Sequence, residues 1–175
     1  LWVTEYLNDP TIGQDAGGKV MAVIQGASLL SAPFFGVMND RMNRVKALKI
    51  TLVIAAVGYL GTIFIGDPTN GMALAILAVL GIGHLGVLIS SQVLVQEQAP
   101  PHVRGSVIGF FGFCGAAGIL ISVKAGGLLF DTVLPGGERF FAGPFVLVGA
   151  FNVIVLLWAF VVGGRVRVPD WNARD

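Results

Sequence analysis

The sequence predicts an all-α integral membrane protein with five complete transmembrane helices and the end of another. Of the 175 residues, 55% are hydrophobic and only 12% are charged, whereas soluble domains carry about 25% charged residues. The mean hydropathy is +0.82. The apolar residues fall into long stretches separated by short segments that contain Gly, Pro and charged residues. Such a pattern is typical of a chain that crosses a bilayer several times.

Five apolar stretches are long enough to cross the hydrocarbon core, which takes about 20 residues of helix. They cover residues 16–38, 47–66, 71–95, 105–130 and 141–163. Breaker segments separate the later stretches: GDPTNG, QAPPHVRG and VLPGGERF. The apolar piece at residues 1–8 is too short for a span or a signal peptide, so it is interpreted as the outer end of a further helix. Residues 1–164 are therefore expected to form one transmembrane unit, followed by a tail at residues 165–175.

The basic residues predict the orientation, because cytoplasmic loops carry an excess of Lys and Arg. If the spans alternate, eight basic residues fall on one side: Arg41, Arg44, Lys46, Lys49, Arg104, Arg165, Arg167 and Arg174. Lys19 and Arg139 fall on the opposite side. We therefore expect the segment GVMNDRMNRVK at residues 36–46, the QAPPHVRG segment and the tail to be cytoplasmic, in a bacterial inner membrane.

Several functional classes find no support in the sequence. The net charge of +1 gives no reason to expect nucleic acid as a partner. A single cysteine, Cys114, excludes a disulfide within the printed chain and a thiolate metal cluster. No phosphate-binding loop, zinc-protease motif or serine-hydrolase elbow is present. We expect no enzyme activity, no cofactor and no metal.

The segment GVMNDRMNRVK, hereafter the charged turn, resembles the signature of the major facilitator superfamily. That signature is a Gly, three variable residues, Asp, Arg, one variable residue, Gly, Arg and a basic residue. Gly36, Asp40, Arg41 and Arg44 match it. Asn43 replaces the second Gly, and Asn tolerates the positive φ that a tight turn can require.

A second resemblance to the family lies in QEQAPPHVRG, where an acidic residue, a Pro and an Arg-Gly pair join two helices. Glu97, Pro100, Arg104 and Gly105 supply these residues here. The family's first half usually has an Arg in its fourth helix, and LAVLGIG offers none. The resemblance therefore implies the C-terminal six-helix half of a twelve-helix transporter. It also implies a small-molecule substrate, protons as the coupling ion, the lipid bilayer and an N-terminal half as partners, and alternating access as the mechanism.

Asp40 is the charge in this turn that topology does not explain, because Arg and Lys flank any cytoplasmic helix end. A carboxylate at this edge can accept hydrogen bonds from a helix N-terminus or pair with Arg, and such contacts break when two bundles rock apart. The resemblance implies a conformational latch here. The expected gate residues are Gly36, Asp40, Arg41, Arg44, Glu97 and Arg104.

Polar side chains inside the spans are the candidates for a substrate and proton pathway. His84 lies near the middle of its span, and Ser91 and Gln92 extend a narrow polar stripe from it on a helical wheel. A neutral His bonded to a neighbouring helix explains it equally well. Lys124 is interpreted either as a cation in the cavity or as a side chain that snorkels toward water near Asp131. Gln25 completes the set, since the family places its helix beside the cavity.

The fourth apolar stretch is rich in glycine. The glycines at positions 105, 109, 112, 115 and 118 wrap around their helix, which predicts close packing against more than one partner.

A competing functional class is a non-transporting assembly or sensor protein of the membrane, built on the same helices. Substrate identity depends on residues from both halves.

Overall fold

The computed structural model describes residues 10–133, 140 and 142–166. Five α-helices occupy this part of the chain: α1 (Pro10–Arg41), α2 (Arg44–Gly61), α3 (Gly71–Gln98), α4 (Arg104–Phe130) and α5 (Gly143–Val162). Short 3-10 turns at Thr62–Phe64 and Pro101–Val103 lie after α2 and before α4. Each of the five helices is long and apolar enough to cross a membrane. The predicted class, an all-α integral membrane protein, is confirmed.

The first helix differs most from the sequence prediction. The first full span is predicted to start at residue 16, but α1 begins at Pro10, where a proline is tolerated because the first turn needs no backbone N–H bond. The helix also runs through Pro33 to Arg41, so the break before α2 contains only Met42 and Asn43. The predictions for residues 1–8 and for most of the tail lie outside the described residues.

The centre of the bundle is α3, which packs most extensively against α2 and α1, while α2 also packs against α5. Glycines permit the close approach of these helices because they have no side chain. A Cβ added to Gly58 of α2 would lie 2.5 Å from Leu80 Cα of α3, and one added to Gly86 of α3 would lie 2.8 Å from Phe35 and Thr51 side chains. Close contact through small residues is the usual way in which helices associate in lipid.

A buried hydroxyl joins α1 to α3 in the same region. The Oγ of Ser28, which is 8% exposed, donates a hydrogen bond shared between the carbonyl of Ile24 in its own helix and the carbonyl of Gly81 in α3, at 2.8 and 2.9 Å. Ser28 therefore bonds across helices as well as within its own helix. Asn152 behaves differently, since its Nδ2 donates to the carbonyl of Val148 in its own helix.

Helix α4 is packed much less than the others. Gly126 is its one buried residue, and large apolar side chains along it, such as Phe110 and Leu120, are exposed. A Cβ added to any of the five glycines at positions 105–118 would meet nothing within 4 Å. The predicted close packing of these glycines is therefore wrong for the part of the chain that the structure describes. Close-packed glycines lie in α2, α3 and α5 instead, for example Gly58, Gly86 and Gly149.

Polar caps order the connection between α2 and α3. Asn70 Oδ1 accepts the backbone N–H of Ala73 at 2.7 Å and so caps α3. Before it, Asp67 Oδ1 accepts hydrogen bonds from the hydroxyl and the backbone N–H of Thr69. The hydroxyl bond, followed by the backbone bond, lowers the pKa of Asp67 below its usual range. The connection thus caps the start of α3 with polar side chains, while Ile65 packs against the apolar core and Pro68 is buried.

Candidate functional site

The charged turn connects α1 to α2 through a side-chain cap. Asn43 Oδ1 accepts the backbone N–H groups of Val45 and Lys46 at 3.0 and 3.4 Å, which satisfies donors that the helix itself leaves unpaired. The φ of Asn43 is −59°. The turn does not use the positive φ that Asn tolerates, because Asn43 serves here as a helix N-cap.

The strongest contact of the charged turn crosses to the end of α3. Arg44 Nε donates to Glu97 Oε1 at 2.6 Å, and Arg44 Nη2 lies 2.5 Å from the same oxygen. The two side chains are half-buried, at 21% and 27% exposure. Hydrogen bonds between ionised partners are shorter and about twice as strong as neutral ones. This pair ties the first turn of α2 to the last turn of α3.

Asp40 lies at the outer edge of this cluster. Its Oδ1 is 3.9 Å from Arg44 Nη1, and its side chain is 81% exposed. Exposed pairs of this geometry contribute about 0–1 kcal/mol. Arg41 is exposed, and an added Cβ at Gly36 would meet nothing within 4 Å. Of the acids predicted for the gate, Glu97 holds Arg44 closely and Asp40 does so weakly.

Asn39 is a residue of this region that sequence reasoning missed. It is 1% exposed, and its Nδ2 donates to the carbonyl of Phe35 at 2.8 Å and to the Ser90 hydroxyl of α3 at 3.0 Å. Its Oδ1 is buried without a hydrogen-bond partner among the described residues. Its position in the helix could have indicated this burial. Asn39 precedes Asp40 by about 100° of helix rotation, so the two side chains point in different directions.

The buried amide yields a stability prediction. Asn39→Ala removes the interhelical bond to Ser90 and is expected to destabilise the protein by about 1–2 kcal/mol, the upper range for such bonds in membrane proteins. Asn152→Ala is the matched control, because its amide bonds only its own helix. Apparent unfolding temperatures of both variants in detergent measure the difference. An equal loss in the two variants would contradict the interhelical role.

Arg104, the last predicted gate residue, begins α4. Its Nε is buried and has no hydrogen-bond partner among the described residues. A cavity of about 700 Å³ lies at this end of the bundle and is lined by Gln98, Val107 and Arg165, among others. The structure therefore brings Arg44 and Glu97 together and leaves Arg104 outside that pair.

The predicted pathway residues lie on three helices. His84, Gln92, Lys124 and Gln25 are exposed, and Ser91 Oγ donates to the carbonyl of Leu88 in its own helix. His84 Nδ1 is 3.0 Å from the hydroxyl of Tyr59 in α2. Within the described residues, Lys124 and Asp131 make no ion pair with each other at 4 Å or less. The five residues do not form one cluster in this structure.

A separate cavity of about 410 Å³ opens between α4 and α5, with α2 and α3 at its base. Its lining is mainly apolar, with Ser122 and Asn152 as polar residues and Leu52 and Val87 from the base. The predicted pathway residues do not line it. No group of three or more potential metal ligands occurs among the described residues.

Five apolar helices with a charge-paired turn at one end define a multi-pass α-helical membrane protein. The family model of the Major Facilitator Superfamily matches residues 2–174. The chain therefore belongs to this superfamily, as the charged turn and the QAPPHVRG segment predict.

Relatives in this family carry names of two kinds. Magnetosome protein MamH of Paramagnetospirillum magneticum is 28% identical over 100% of this chain and 39% of its own length. Magnetosome protein MamZ of Magnetospirillum gryphiswaldense is 31% identical over 82% of this chain and 22% of its own length. Multidrug resistance protein MdtG of Salmonella paratyphi A is 34% identical over 65% of this chain and 28% of its own length. No solved structure matches the chain.

These matches cover only part of each relative. The chain spans 39% of MamH, 22% of MamZ and 28% of MdtG, which is less than half of every one of them.

Proposed function

We propose that this chain forms the C-terminal half of a secondary active transporter that moves a small solute by alternating access, with proton coupling. The observation that carries the proposal is the Arg44–Glu97 pair, which ties α2 to α3 at the charged end of the bundle. Membership of the superfamily supplies the class of mechanism. In this proposal the Arg44–Glu97 pair stabilises one of the two conformations of the transporter, the one in which the charged end is closed.

The pair has the properties of a contact that opens and closes. It joins residues 53 positions apart in sequence at a helix start and a helix end, away from the close approach of Gly58 to Leu80. A local separation of these two ends therefore breaks the pair while the rest of α2 and α3 stays packed. Its half-burial makes it stronger than an exposed pair but leaves it accessible to water when the ends separate. We assign Arg44 and Glu97 as the main gate contact, with Asp40 as a weaker second acid and Arg41 and Arg104 as flanking cations.

The solute pathway in this proposal is shared with a second half. His84, Gln92, Lys124 and Gln25 are exposed polar groups on apolar helices, where an ionisable or amide side chain is costly unless it faces a cavity or another protein surface. The exposure of α4 along almost its whole length is consistent with another surface that packs there. In secondary transporters the binding site lies between such halves near the membrane midplane.

The experiment uses the natural-length protein in liposomes with an imposed pH gradient. Ethidium is a suitable first probe because MdtG, a relative, is named a multidrug resistance protein. We expect ethidium movement that follows the gradient and stops when a protonophore collapses it. Movement without dependence on the gradient would overturn the proton coupling. A wider panel of small solutes that all stay unmoved would overturn transport.

A second candidate function rests on the magnetosome relatives. MamH is similar over the whole of this chain, and its name assigns it to the magnetosome rather than to a solute. A membrane protein of a magnetosome, with an assembly or sensing role, is therefore the alternative. A fluorescent fusion at the natural locus tests this alternative. A signal confined to magnetosomes, together with a negative solute panel, supports it. A uniform plasma-membrane signal argues against it.

A further inference from the structure

A hydrogen bond in the middle of the bundle joins two ring side chains. The hydroxyl of Tyr59 in α2 is 3.0 Å from Nδ1 of His84 in α3, and the two rings meet edge to face with centroids 6.4 Å apart. The sequence indicates His84 as one of the candidates for the pathway and gives no such indication for Tyr59. The hydrogen bond and the ring contact therefore couple the position of the His84 ring to that of Tyr59.

The two rings differ in burial. Tyr59 is 8% exposed and packs in a cluster with Ala55, Leu77 and Leu80, whereas His84 is exposed. The phenol is thus the fixed member, and the imidazole lies at the edge of the cluster. Because Nδ1 is engaged by Tyr59, Nε2 is the ring nitrogen left for a solute.

The surroundings of Tyr59 decide which group donates. If Nδ1 of His84 carried the proton and donated to the phenol oxygen, the hydroxyl proton of Tyr59 would need a second acceptor. Among the described residues this hydroxyl has no hydrogen bond other than that to His84, and the cluster around it is apolar. An unpaired buried donor is costly. The hydroxyl therefore donates to Nδ1, and the proton of the neutral imidazole lies on Nε2.

We propose that Tyr59 is a positioning residue that holds His84 in the Nε2–H tautomer, so that His84 presents a hydrogen-bond donor to a solute with an acceptor oxygen. This inference rests on the proposed function, in which His84 lines the pathway. His84 does not itself line the 410 Å³ cavity that contains Ser122 and Asn152, but Val87, one turn after it on α3, does. Carbonyl, carboxylate and phosphate oxygens are the acceptors such a donor recognises.

The test is ¹⁵N NMR of the natural-length protein, labelled at histidine and held in lipid nanodiscs at a pH where the imidazole is neutral. Comparison with His84→Gln assigns the His84 signals. We expect an unprotonated Nδ1 and a protonated Nε2 in the unmodified protein. In Tyr59→Phe we expect the single tautomer to be lost, with both nitrogens showing averaged or doubled signals.

Thr51→Val is the control, because it removes another buried hydroxyl of α2 whose bond goes to Leu48 in its own helix. It should leave the His84 signals unchanged. A protonated Nδ1 in the unmodified protein would overturn the proposal even if Tyr59→Phe does not fold, and so would an unchanged tautomer in a folded Tyr59→Phe. The measurement needs no transport, so a failed transport assay with the expected spectra would reject the proposed function and leave the positioning role intact.

Discussion

Glu97→Gln is expected to weaken the gate and to lower the transport rate about tenfold. The substitution keeps the shape of the side chain but removes the charge that Arg44 contacts at 2.6 and 2.5 Å. Hydrogen bonds to charged groups contribute about 1.5–3 kcal/mol, and about 1.4 kcal/mol changes a conformational equilibrium tenfold. The closed state of the charged end should lose population by that factor. Gradient-driven uptake or efflux in liposomes measures the rate.

A double-mutant cycle separates the contact from other effects of the substitutions. Arg44→Gln and Glu97→Gln each leave one charge without its close partner, and the double variant removes both charges. We expect the double variant to be less impaired than the sum of the two single variants, with a coupling energy of about 1–3 kcal/mol. Additive losses would mean that the two side chains act independently and that the gate does not depend on their contact.

Asp40→Asn provides the matched acid control in the same cluster. Asp40 is 3.9 Å from Arg44 and largely exposed, so its contribution should be below about 1 kcal/mol. We expect its transport rate to remain within a factor of a few of the unmodified protein. If Asp40→Asn impaired transport more than Glu97→Gln, the latch would depend on Asp40 as the sequence alone predicts.

The number and kind of the helices could be predicted because the bilayer imposes a length. About 20 apolar residues are needed for each span, and the chain has five such stretches that coincide with α1 to α5. The ends were less predictable. Pro10 begins α1 and Arg41 ends it, since a helix continues into the interface as long as caps and solvent satisfy its backbone, whatever the hydropathy of the residues.

The contacts of the charged turn were only partly predictable. The motif indicated the right segment and the right set of ions, but the choice of Glu97 over Asp40 depends on how α1 and α3 are rotated against each other. Asn39 shows the same limit: one residue of helix rotation separates a buried amide from an exposed carboxylate. A sequence specifies the residue types at a helix end, whereas packing selects the face.

The glycines show where pattern reasoning failed for a physical reason. Regular spacing in α4 suggested close packing, yet the close approaches involve Gly58, Gly86 and Gly149, among others in α2, α3 and α5. A glycine indicates that a close approach is possible, but the partner helix decides whether it occurs. The Tyr59–His84 bond was likewise unpredictable, because the two residues are 25 positions apart in different helices.

Gly58→Ala is expected to cause a larger loss of stability than Gly61→Ala or Gly112→Ala. The added Cβ would lie 2.5 Å from both Cα and N of Leu80. These are backbone atoms, so the clash can be relieved only if α2 and α3 move apart. Overpacking of this kind costs about 1–3 kcal/mol, which corresponds to a decrease of about 2–12 °C in the apparent unfolding temperature at about 2–4 °C per kcal/mol.

Two other glycines make the prediction a ranked series. At Gly61 an added Cβ would lie 3.1 Å from Ile76 Cγ2, a side-chain atom that is able to move, and at Gly112 it would meet nothing within 4 Å. Alanine also favours helix over glycine by about 1 kcal/mol. We therefore expect Gly58→Ala to be clearly destabilised, Gly61→Ala to change little and Gly112→Ala to be unchanged or more stable. Thermal unfolding of the three purified variants gives the order of their stabilities. If Gly112→Ala were as unstable as Gly58→Ala, α4 would pack closely against a surface outside the described residues.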